Sequence, residues 1–321
     1  MMLRLMFVII LTVVSSGCGR SLRQINPPGI PGTPALGELW EEPRDIAGRD
    51  LFHGAGGVAH VPRGSTFVFV AADTTGFSPG FDVKDEVGLE WSIKTGPEAQ
   101  SEVATSRILW AIGFHQPPTY YLDRWTLTGA QTGEQPAGRF RPKLQGHEVI
   151  GDWSWYENPF VGSRPYAGLV VANLIVNNWD WKTSNNKIYS VSNEGKAERR
   201  FVVRDVGASL GRTTYPHILK WVRLRGFGQG TRNDLPGFES QGFITEVEGG
   251  RVKFDYRGIY KDVINSVTPA DVAWTSALMA RLSDRQWDDA FRAGGYTPEE
   301  RQRYIRKIKE KISQGLALAG N

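Results

Sequence analysis

Two polar stretches of the chain carry acidic, amide and lysine side chains at short spacings. In the first, Asp180, Lys182 and Asn185 follow the pattern D-x-K-x-x-N. In the second, Asp205 opens an Asp-Val-Gly triplet directly after a short β-type run. Carboxylate and amide oxygens are ligands that Mg²⁺ accepts, and lysine side chains stabilise the charge of phosphate oxygens. The residue types are therefore those needed to hold a divalent cation and a phosphorylated ligand.

Each pattern alone is weak, and the order of the patterns along the chain strengthens the prediction. D-x-K-x-x-N arises by chance in roughly a few per cent of chains of this length. Upstream, Lys94 ends a β-type run, and a helix that bears Glu98 and Glu102 follows. The Asp180 loop comes directly after a segment, 169–176, that is apolar on nearly every side. A strand lysine, an acidic helix, a polar loop and Asp-x-Gly in this order are much rarer by chance.

This ordered set resembles the protein-kinase-like superfamily over about residues 66–211. Residues 180–185 match the catalytic-loop pattern, residues 205–207 stand at the position of Asp-Phe-Gly, and residues 91–94 are similar to Val-Ala-Ile-Lys. The closer likeness is to atypical branches, such as HipA-type, CotH-type and phosphatidylinositol-kinase-like proteins. The resemblance implies a bilobal α+β fold, in which a β-rich N-lobe with one main helix precedes a mostly helical C-lobe.

The resemblance implies that residues of the N-lobe bind the phosphates of ATP. Lys94 would hold the nucleotide phosphates, and Glu102 would orient Lys94 through an ion pair. Glu98 lies one helical turn earlier on the same face, so either carboxylate could be the partner. Glu102 is preferred because an apolar residue on its face should turn it inward. Gly76 and Gly80, between the first two strands, would let backbone amides approach the phosphates.

The same resemblance implies that the C-lobe supplies the metal ligands and the groups that contact the acceptor. Asn185 and Asp205 would hold Mg²⁺, and Lys182 would stabilise the γ-phosphate. Asp180 would orient the acceptor hydroxyl or accept its proton. The implied function is transfer of a phosphoryl group, or of a nucleotidyl group, from Mg-ATP to an unknown protein or small-molecule hydroxyl.

The chain departs from the family pattern at four points. Asn-Trp at 178–179 replaces His-Arg before Asp180, and Val206 replaces the usual Phe. The glycine loop has Gly76 and Gly80 but lacks the full G-x-G-x-x-G, and no Ala-Pro-Glu follows the Asp-Val-Gly triplet. Atypical kinases tolerate all four departures, so they leave the predicted fold intact, whereas the identity of the acceptor does not follow from the resemblance.

A kinase-fold binding protein or pseudokinase at the cell envelope, without turnover, is the alternative function. The compartment favours this alternative, since an exported protein normally meets little ATP. The residues favour an enzyme, because a degenerate kinase is expected to have lost Asp180, Asn185 or Asp205, and all three are present.

The elements that would position these residues change in type near residue 152. Between 51 and 152, short β-type runs alternate with turns, and one helix is predicted over 97–112. We predict a β-rich N-lobe over 51–152 and a helical C-lobe over 153–321. Ser163 is predicted to cap the apolar helix of the C-lobe, and three closing helices are predicted to begin at Thr268, Ser283 and Thr297.

The N-terminus has the pattern of an export signal. Arg4 precedes an apolar run over 5–14, which is well short of the roughly 20 residues of a membrane span. Small residues then precede Cys18, as in a bacterial lipoprotein signal, although Ser15 stands where that signal usually has Leu. We predict a signal peptide over 1–17, lipidation and membrane anchoring at Cys18, and a periplasmic or outer cell-envelope location. An ordinary signal peptide cut nearby is the alternative.

The composition excludes several classes of protein. The chain has 321 residues, of which 40% are hydrophobic and 22% charged, as in globular proteins. One cysteine can close no intramolecular disulfide and no Cys-based zinc site. The 38 basic and 34 acidic residues give no electrostatic case for nucleic acid as a partner. The Pro/Gly-rich segment 18–50 is predicted to be a tether, and most of the 11 tryptophans are predicted to pack in the core rather than form a glycan platform.

Overall fold

The computed structural model describes residues 20–30, 32–73, 78–129, 132–193, 196–213 and 230–320. Gly76, Cys18 and the predicted signal peptide lie outside these residues. The strands are, in chain order, β1 (Arg23–Gln24), β2 (Thr66–Asp73), β3 (Gly80–Lys84), β4 (Glu90–Thr95), β5 (Tyr120–Leu122), β6 (Trp125–Thr128), β7 (Gly133–Gln135), β8 (Gly138–Pro142), β9 (His147–Asp152), β10 (Glu157–Asn158), β11 (Asn186–Asn193), β12 (Lys196–Val203), β13 (Ile244–Glu248) and β14 (Arg251–Phe254). The helices are α1 (Glu98–Ala111), α2 (Arg164–Ile175), α3 (Leu235–Ser240), α4 (Lys261–Ile264), α5 (Pro269–Ala280), α6 (Asp284–Ala293) and α7 (Pro298–Leu316).

A seven-stranded sheet forms most of the N-lobe, in the order β5-β8-β4-β3-β2-β6-β7. Neighbouring strands are antiparallel except for the parallel pair β2–β6. Burial alternates along β4, where Trp91 and Ile93 pack in an apolar cluster on one face of the sheet. Because side chains of a strand alternate between faces, Ser92 and Lys94 share the other face. The strand period thereby directs Lys94 away from this cluster.

Helix α1 is the main helix of the N-lobe and is buried along nearly its whole length. Pro97 precedes it and Glu98 lies in its first turn, where the helix dipole favours an acidic side chain. Gly113 follows its C-terminus with φ of +101°, and a Cβ there would lie 2.2 Å from the carbonyl oxygen of Glu41. Only glycine fits this turn, which ends the helix where the sequence predicts.

The C-lobe is built around α2, which is buried on nearly every side, as its apolar sequence predicts. The Ser163 hydroxyl caps α2 by accepting from the amide of Tyr166. Helices α5, α6 and α7 each begin with a capping box at the predicted residue. The bilobal α+β fold with a β-rich N-lobe and a helical C-lobe is therefore confirmed.

Two β features of the second half depart from the helical pattern that we predicted. A separate three-stranded sheet forms in the order β12-β11-β9, and a β13–β14 hairpin follows α3. Only the end of β12 was predicted as a strand. β9 lies within the predicted N-lobe range, yet it pairs with β11 instead of joining the seven-stranded sheet.

The segment predicted to be a tether packs against the folded body over its described residues. Strand β1 pairs in parallel with β10. Leu39 and Ile46 are fully buried in the main core, and the Trp40 indole donates to the carbonyl of Ile112 at 2.8 Å. The apolar residues of this segment follow no helical or strand period, so the sequence pattern did not indicate their burial. Among the described residues, no helix is long and apolar enough to cross a membrane.

Candidate active site

Lys94 lies at the centre of a cluster of three carboxylates from three separate parts of the chain. Its Nζ lies 2.9 Å from both carboxylate oxygens of Asp205, which follows β12. It also lies 3.1 Å from Oε2 of Glu102 and 3.2 Å from Oε2 of Glu98, both on α1. The fold thus brings together β4, α1 and the Asp-Val-Gly triplet.

Electrostatics keep Lys94 and Asp205 charged. Burial alone lowers the pKa of Lys94, but Glu102, Asp205 and Glu98 outweigh it and raise that pKa above its ordinary value. Burial alone raises the pKa of Asp205, and the adjacent Lys94 lowers that pKa well below its usual range. Lys94 and Asp205 are therefore both charged at neutral pH.

Both glutamates on α1 reach Lys94, so the geometry leaves the choice between them open. Glu102 is fully buried and also pairs with Nε of Arg139 at 2.9 Å and Nη2 of Arg141 at 2.5 Å. Glu98 pairs with Arg232 as well as with Lys94. Glu102 is therefore the more strongly neutralised of the two, while Glu98 lies on the surface of the cleft.

Close packing joins α1 to the Asp-Val-Gly triplet. The Ser101 hydroxyl donates to the carbonyl of Gly207 at 2.7 Å, and the hydroxyls of Thr105 and Ser209 lie 2.7 Å apart. A Cβ on Gly207 would lie 2.8 Å from the Cβ of Glu98, a separation that side chains do not tolerate. The glycine of the triplet is needed for this approach.

The D-x-K-x-x-N loop is tied to the triplet by backbone hydrogen bonds. The carbonyl of Asn185 accepts from the amides of Arg204 and Asp205 at 2.9 and 3.2 Å. The Asn185 side chain donates to the carbonyl of Asp180 at 2.8 Å. Its amide nitrogen is thus used within the loop, and its amide oxygen is the part of this side chain that suits a cation.

Asp180 has one paired and one unpaired carboxylate oxygen. Its Oδ2 lies 2.9 Å from Nζ of Lys182, a side chain that is 62% exposed. Its Oδ1 is buried and has no hydrogen-bond partner among the described residues. A buried acceptor without a donor is costly, so this oxygen is suited to a group supplied by a ligand.

Buried amide side chains hold Asp180 in place. The side chain of Asn178 donates to that of Asn173 at 2.8 Å, and its oxygen accepts from the amide of Asp180 at 3.3 Å. The Trp181 indole donates to the carbonyl of Asn178 at 2.7 Å. Asn178 therefore anchors the loop at the position where the family pattern has His-Arg. Its only sequence signal was its place between a buried helix and Asp180.

Lys311 of α7 also supports the loop that carries Asp180, and the sequence did not indicate this role. It is fully buried and donates to the carbonyl of Ile175 at 3.0 Å and to Oδ1 of Asn177 at 2.6 Å. The buried Nζ supports the C-terminus of α2, where the loop begins.

Most of the predicted site residues line one cleft of about 480 Å³. Glu102 lies behind this surface, buried against Arg139 and Arg141. Gly76 and Cys18 lie outside the described residues. The residues that the cleft brings together are Gly80, Lys94, Glu98, Asp180, Lys182, Asn185 and Asp205.

The donor set of the cleft fits a cation that is bound jointly with a phosphorylated ligand. Asp205 offers a carboxylate, Asn185 an amide oxygen, and Asp180 the unpartnered Oδ1. Among the described residues, no group of three or more His, Cys, Asp or Glu side chains could hold a metal by itself. Mg²⁺ commonly uses one or two carboxylates and completes its shell with waters and substrate phosphates, so these residues fit it.

A second cavity, of about 510 Å³, contains none of the predicted site residues. It lies beside the end of α1 and the β12-β11-β9 sheet, and His60, His115 and His147 are among the residues that line it. The two cavities are therefore separate, and the predicted chemistry belongs to the cleft.

Comparison with known proteins finds a likeness only among solved structures. No protein-family model matches the chain, and no curated protein matches it in sequence. The proinflammatory kinase CtkA of Helicobacter pylori has a TM-score of 0.46 and 10% identity, over 79% of this chain and 98% of that chain. The Golgi casein kinase has a TM-score of 0.40 and 10% identity, over 81% and 74% of the two chains. Its Mn/ADP-bound structure has a TM-score of 0.37 and 8% identity over the same shares. The chain is thus similar to solved kinases, and the similarity is one of fold alone.

Proposed function

We propose that this protein is a kinase-like phosphotransferase, which moves a phosphoryl group from a magnesium-bound phosphoanhydride, Mg-ATP, to a hydroxyl acceptor. The observation that carries the proposal is the Lys94 cluster. Its ammonium lies 2.9 Å from Asp205, in the same cleft as Asp180 and Asn185. A cation, two metal-binding side chains and an unpaired carboxylate oxygen in one cleft are the groups that phosphoryl transfer requires.

The N-lobe side of the cleft would bind and orient the donor. Bound Mg²⁺ would offset the charge of the phosphate oxygens, with Asp205 and Asn185 as its protein ligands. Lys94 would contact the phosphates, held in place by Glu98 and Glu102. These two carboxylates would keep the ammonium in position when Asp205 turns to the metal.

The C-lobe side would orient the acceptor. Oδ1 of Asp180 would accept a hydrogen bond from the acceptor hydroxyl and take its proton as the new O–P bond forms. The bond between the transferred phosphorus and its bridging oxygen breaks, and the shortened donor leaves. Lys182, which is paired with Oδ2, would neutralise charge at the open side of the cleft.

The test is transfer of label from γ-labelled ATP with Mg²⁺ to a broad acceptor set that includes the protein itself. We expect transfer by the wild type and a loss of about 10³-fold or more in Asp205→Asn and Lys94→Met, since both groups bind the reacting phosphate. Lys84→Met is the matched control, because Lys84 is a half-exposed lysine of the same sheet outside the cleft. Equal inactivity of wild type and Asp205→Asn would refute the enzyme. A rise in Tm with Mg-ATP but no transfer would instead support the binding protein without turnover.

We also propose that the protein is exported and lipid-anchored through Cys18, as its N-terminal sequence suggests. Metabolic labelling with a fatty acid should mark the wild type, and Cys18→Ser should abolish the label. Equal labelling of both would refute the anchor.

A further inference from the structure

The cleft is unusually polar for a site that would hold a nucleoside. Ligand pockets are mostly lined by apolar and aromatic side chains, against which a planar base can stack. The only apolar side chain along the described lining of this cleft belongs to Ile93. Ile93 is itself 1% exposed and packs in the cluster on the opposite face of the sheet. The described lining therefore offers no apolar slot for a base.

The strand register places the apolar side chains of β4 and β8 on the face of the sheet opposite the cleft. On β8, Arg141 pairs with Ser92 and Arg139 pairs with Lys94, so these four side chains lie on one face of the sheet. The aromatic ring of Phe140, between the two arginines, is fully buried on the opposite face. The roof of the cleft is thus hydroxyl, ammonium and guanidinium.

Cationic side chains continue along the floor of the cleft. Lys187 of β11 and Arg204, directly before the triplet, both line it. Nη2 of Arg141 donates to the carbonyl of Arg204 at 3.2 Å, and both residues line the cleft. Among the described residues, Arg204 has no ion-pair partner. Guanidinium groups form charge-assisted hydrogen bonds with phosphate oxygens, so Arg204 is suited to an anionic ligand in the cleft.

We propose that this cleft recognises its donor by the phosphate chain and not by a base, so that ATP, GTP and inorganic tripolyphosphate serve alike. The inference rests on the proposed function and names the donor class of that site. Lys94 contacts the reacting end of the chain, and Arg141 and Arg204 contact its other end. With tripolyphosphate, the terminal P–O–P bond breaks, the acceptor oxygen bonds to that phosphorus, pyrophosphate leaves, and the hydroxyl proton passes to Asp180.

Binding is measured by calorimetry on the full chain with Mg²⁺ and four probes: ATP, GTP, tripolyphosphate and adenosine. We expect the three phosphate chains to bind with Kd values within about tenfold of one another, and adenosine not to bind. A site that hydrogen-bonds the base discriminates by about 10⁴-fold between analogues that have and lack the matching group. Binding of adenosine, a preference for ATP of about 100-fold or more, or no binding of any chain would each overturn the proposal.

Substitutions of the cationic side chains then test which of them bind the donor. Arg204→Gln should weaken binding of ATP, GTP and tripolyphosphate by the same factor, about tenfold or more, because it removes a charge-assisted hydrogen bond to phosphate. Lys187→Met should act in the same direction and provides a second variant if Arg204→Gln does not fold. Arg124→Gln, at an exposed turn outside the cleft, is the matched control and should bind as the wild type does. Weakening of the nucleotides with tripolyphosphate unchanged would overturn the proposal.

The transfer assay separates this inference from the function on which it rests. Transfer from ATP but not from GTP or tripolyphosphate would show that the protein is a kinase that recognises the adenine base. In that case only the further inference would be wrong. Equal binding of ATP, GTP and tripolyphosphate without transfer from any of them would refute the enzyme. The cleft would then still bind phosphate chains, but as ligands and not as donors.

Discussion

Glu102 differs from the other two carboxylates of the Lys94 cluster in the number of cations that depend on it. Arg139, Arg141 and Lys94 all lie within ion-pair distance of its carboxylate, and its side chain is 1% exposed. Removing one partner of a buried ion pair leaves an uncompensated charge, which costs more than the pair contributes. Glu102 therefore has a structural task beyond orienting Lys94.

We predict that Glu102→Gln lowers the free energy of unfolding by about 3–5 kcal/mol, because two buried arginines lose their carboxylate. Glu98→Gln should cost about half as much, since Arg232 also lies 4.9 Å from the ring of Trp179 and keeps that contact. Urea unfolding of the wild type and both variants measures the difference. Equal losses of free energy would show that the two glutamates neutralise their cationic partners to the same extent.

The same residue gives a pH prediction. Burial alone raises the pKa of Glu102, but Arg139, Lys94 and Arg141 outweigh it and lower that pKa below its ordinary 4.5. A carboxyl with a lower pKa in the folded state adds stability that is fully present above the unfolded pKa and is lost as the pH falls towards the folded pKa. The Tm difference between wild type and Glu102→Gln should therefore be largest at neutral pH and shrink below about pH 4.5. A difference that is constant with pH would contradict this sign.

At the scale of elements, the loop that carries Asp180 depends on the contact between α2 and α7. The only lysine of α7 that is fully buried, Lys311, donates to the last turn of α2 and to Asn177, whose φ is +54°. A left-handed Asn at this position turns the chain from the helix into the loop. The C-terminal helix thus supports the candidate site without touching the cleft.

We predict that Lys311→Met lowers the free energy of unfolding by about 1–3 kcal/mol, because two buried acceptors lose their donor. Amide hydrogen exchange at residues 177–181 should become faster, since the turn that fixes the loop is loosened. Lys309→Met is the control, because Lys309 lies on the exposed face of the same helix and pairs with Asp284. Unchanged exchange at 177–181 in Lys311→Met would contradict the role in the loop.

The elements that were predicted from the sequence are those with local signals. The helices after Ser163, Thr268, Ser283 and Thr297 begin with hydroxyl caps, and Gly113 ends α1. Each of these helix boundaries is therefore determined by a few neighbouring residues. Strand β11 and the β13–β14 hairpin were not predicted. Their polar sequences lack a clear alternation of apolar and polar residues, and β9, one of the two partners of β11, lies elsewhere in the chain.

The candidate site shows the same division. Lys94, Asp180, Asn185 and Asp205 could be predicted because their types and order follow a known pattern, and the fold brings them into one cleft. The arginines at 139 and 141 could not, because a strand register decides which face they share with Lys94. Contacts between residues far apart in sequence depend on topology, which no local pattern encodes.

At the scale of the whole molecule, the segment before residue 51 packs against the core of the protein. Leu39 and Ile46 are buried in the main cluster, and Glu38 pairs with Arg199 of β12. The side chain of Gln286 donates to the carbonyl of Ile46 at 2.6 Å. These contacts join the segment to the β12-β11-β9 sheet and to α6, and the hydrogen bond from Trp40 to Ile112 joins it to the end of α1, so the segment contacts both lobes.

We predict that a chain beginning at residue 51 is much less stable than one beginning at residue 20. Each fully buried side chain of this kind contributes about 1.5–3 kcal/mol, so the loss of Leu39 and Ile46 removes a large part of the roughly 5–15 kcal/mol that stabilises a typical domain. Thermal unfolding of the two purified chains provides the measurement. If the segment were a tether, the two Tm values would agree. A lower Tm for the shorter chain would show that the fold begins before residue 51.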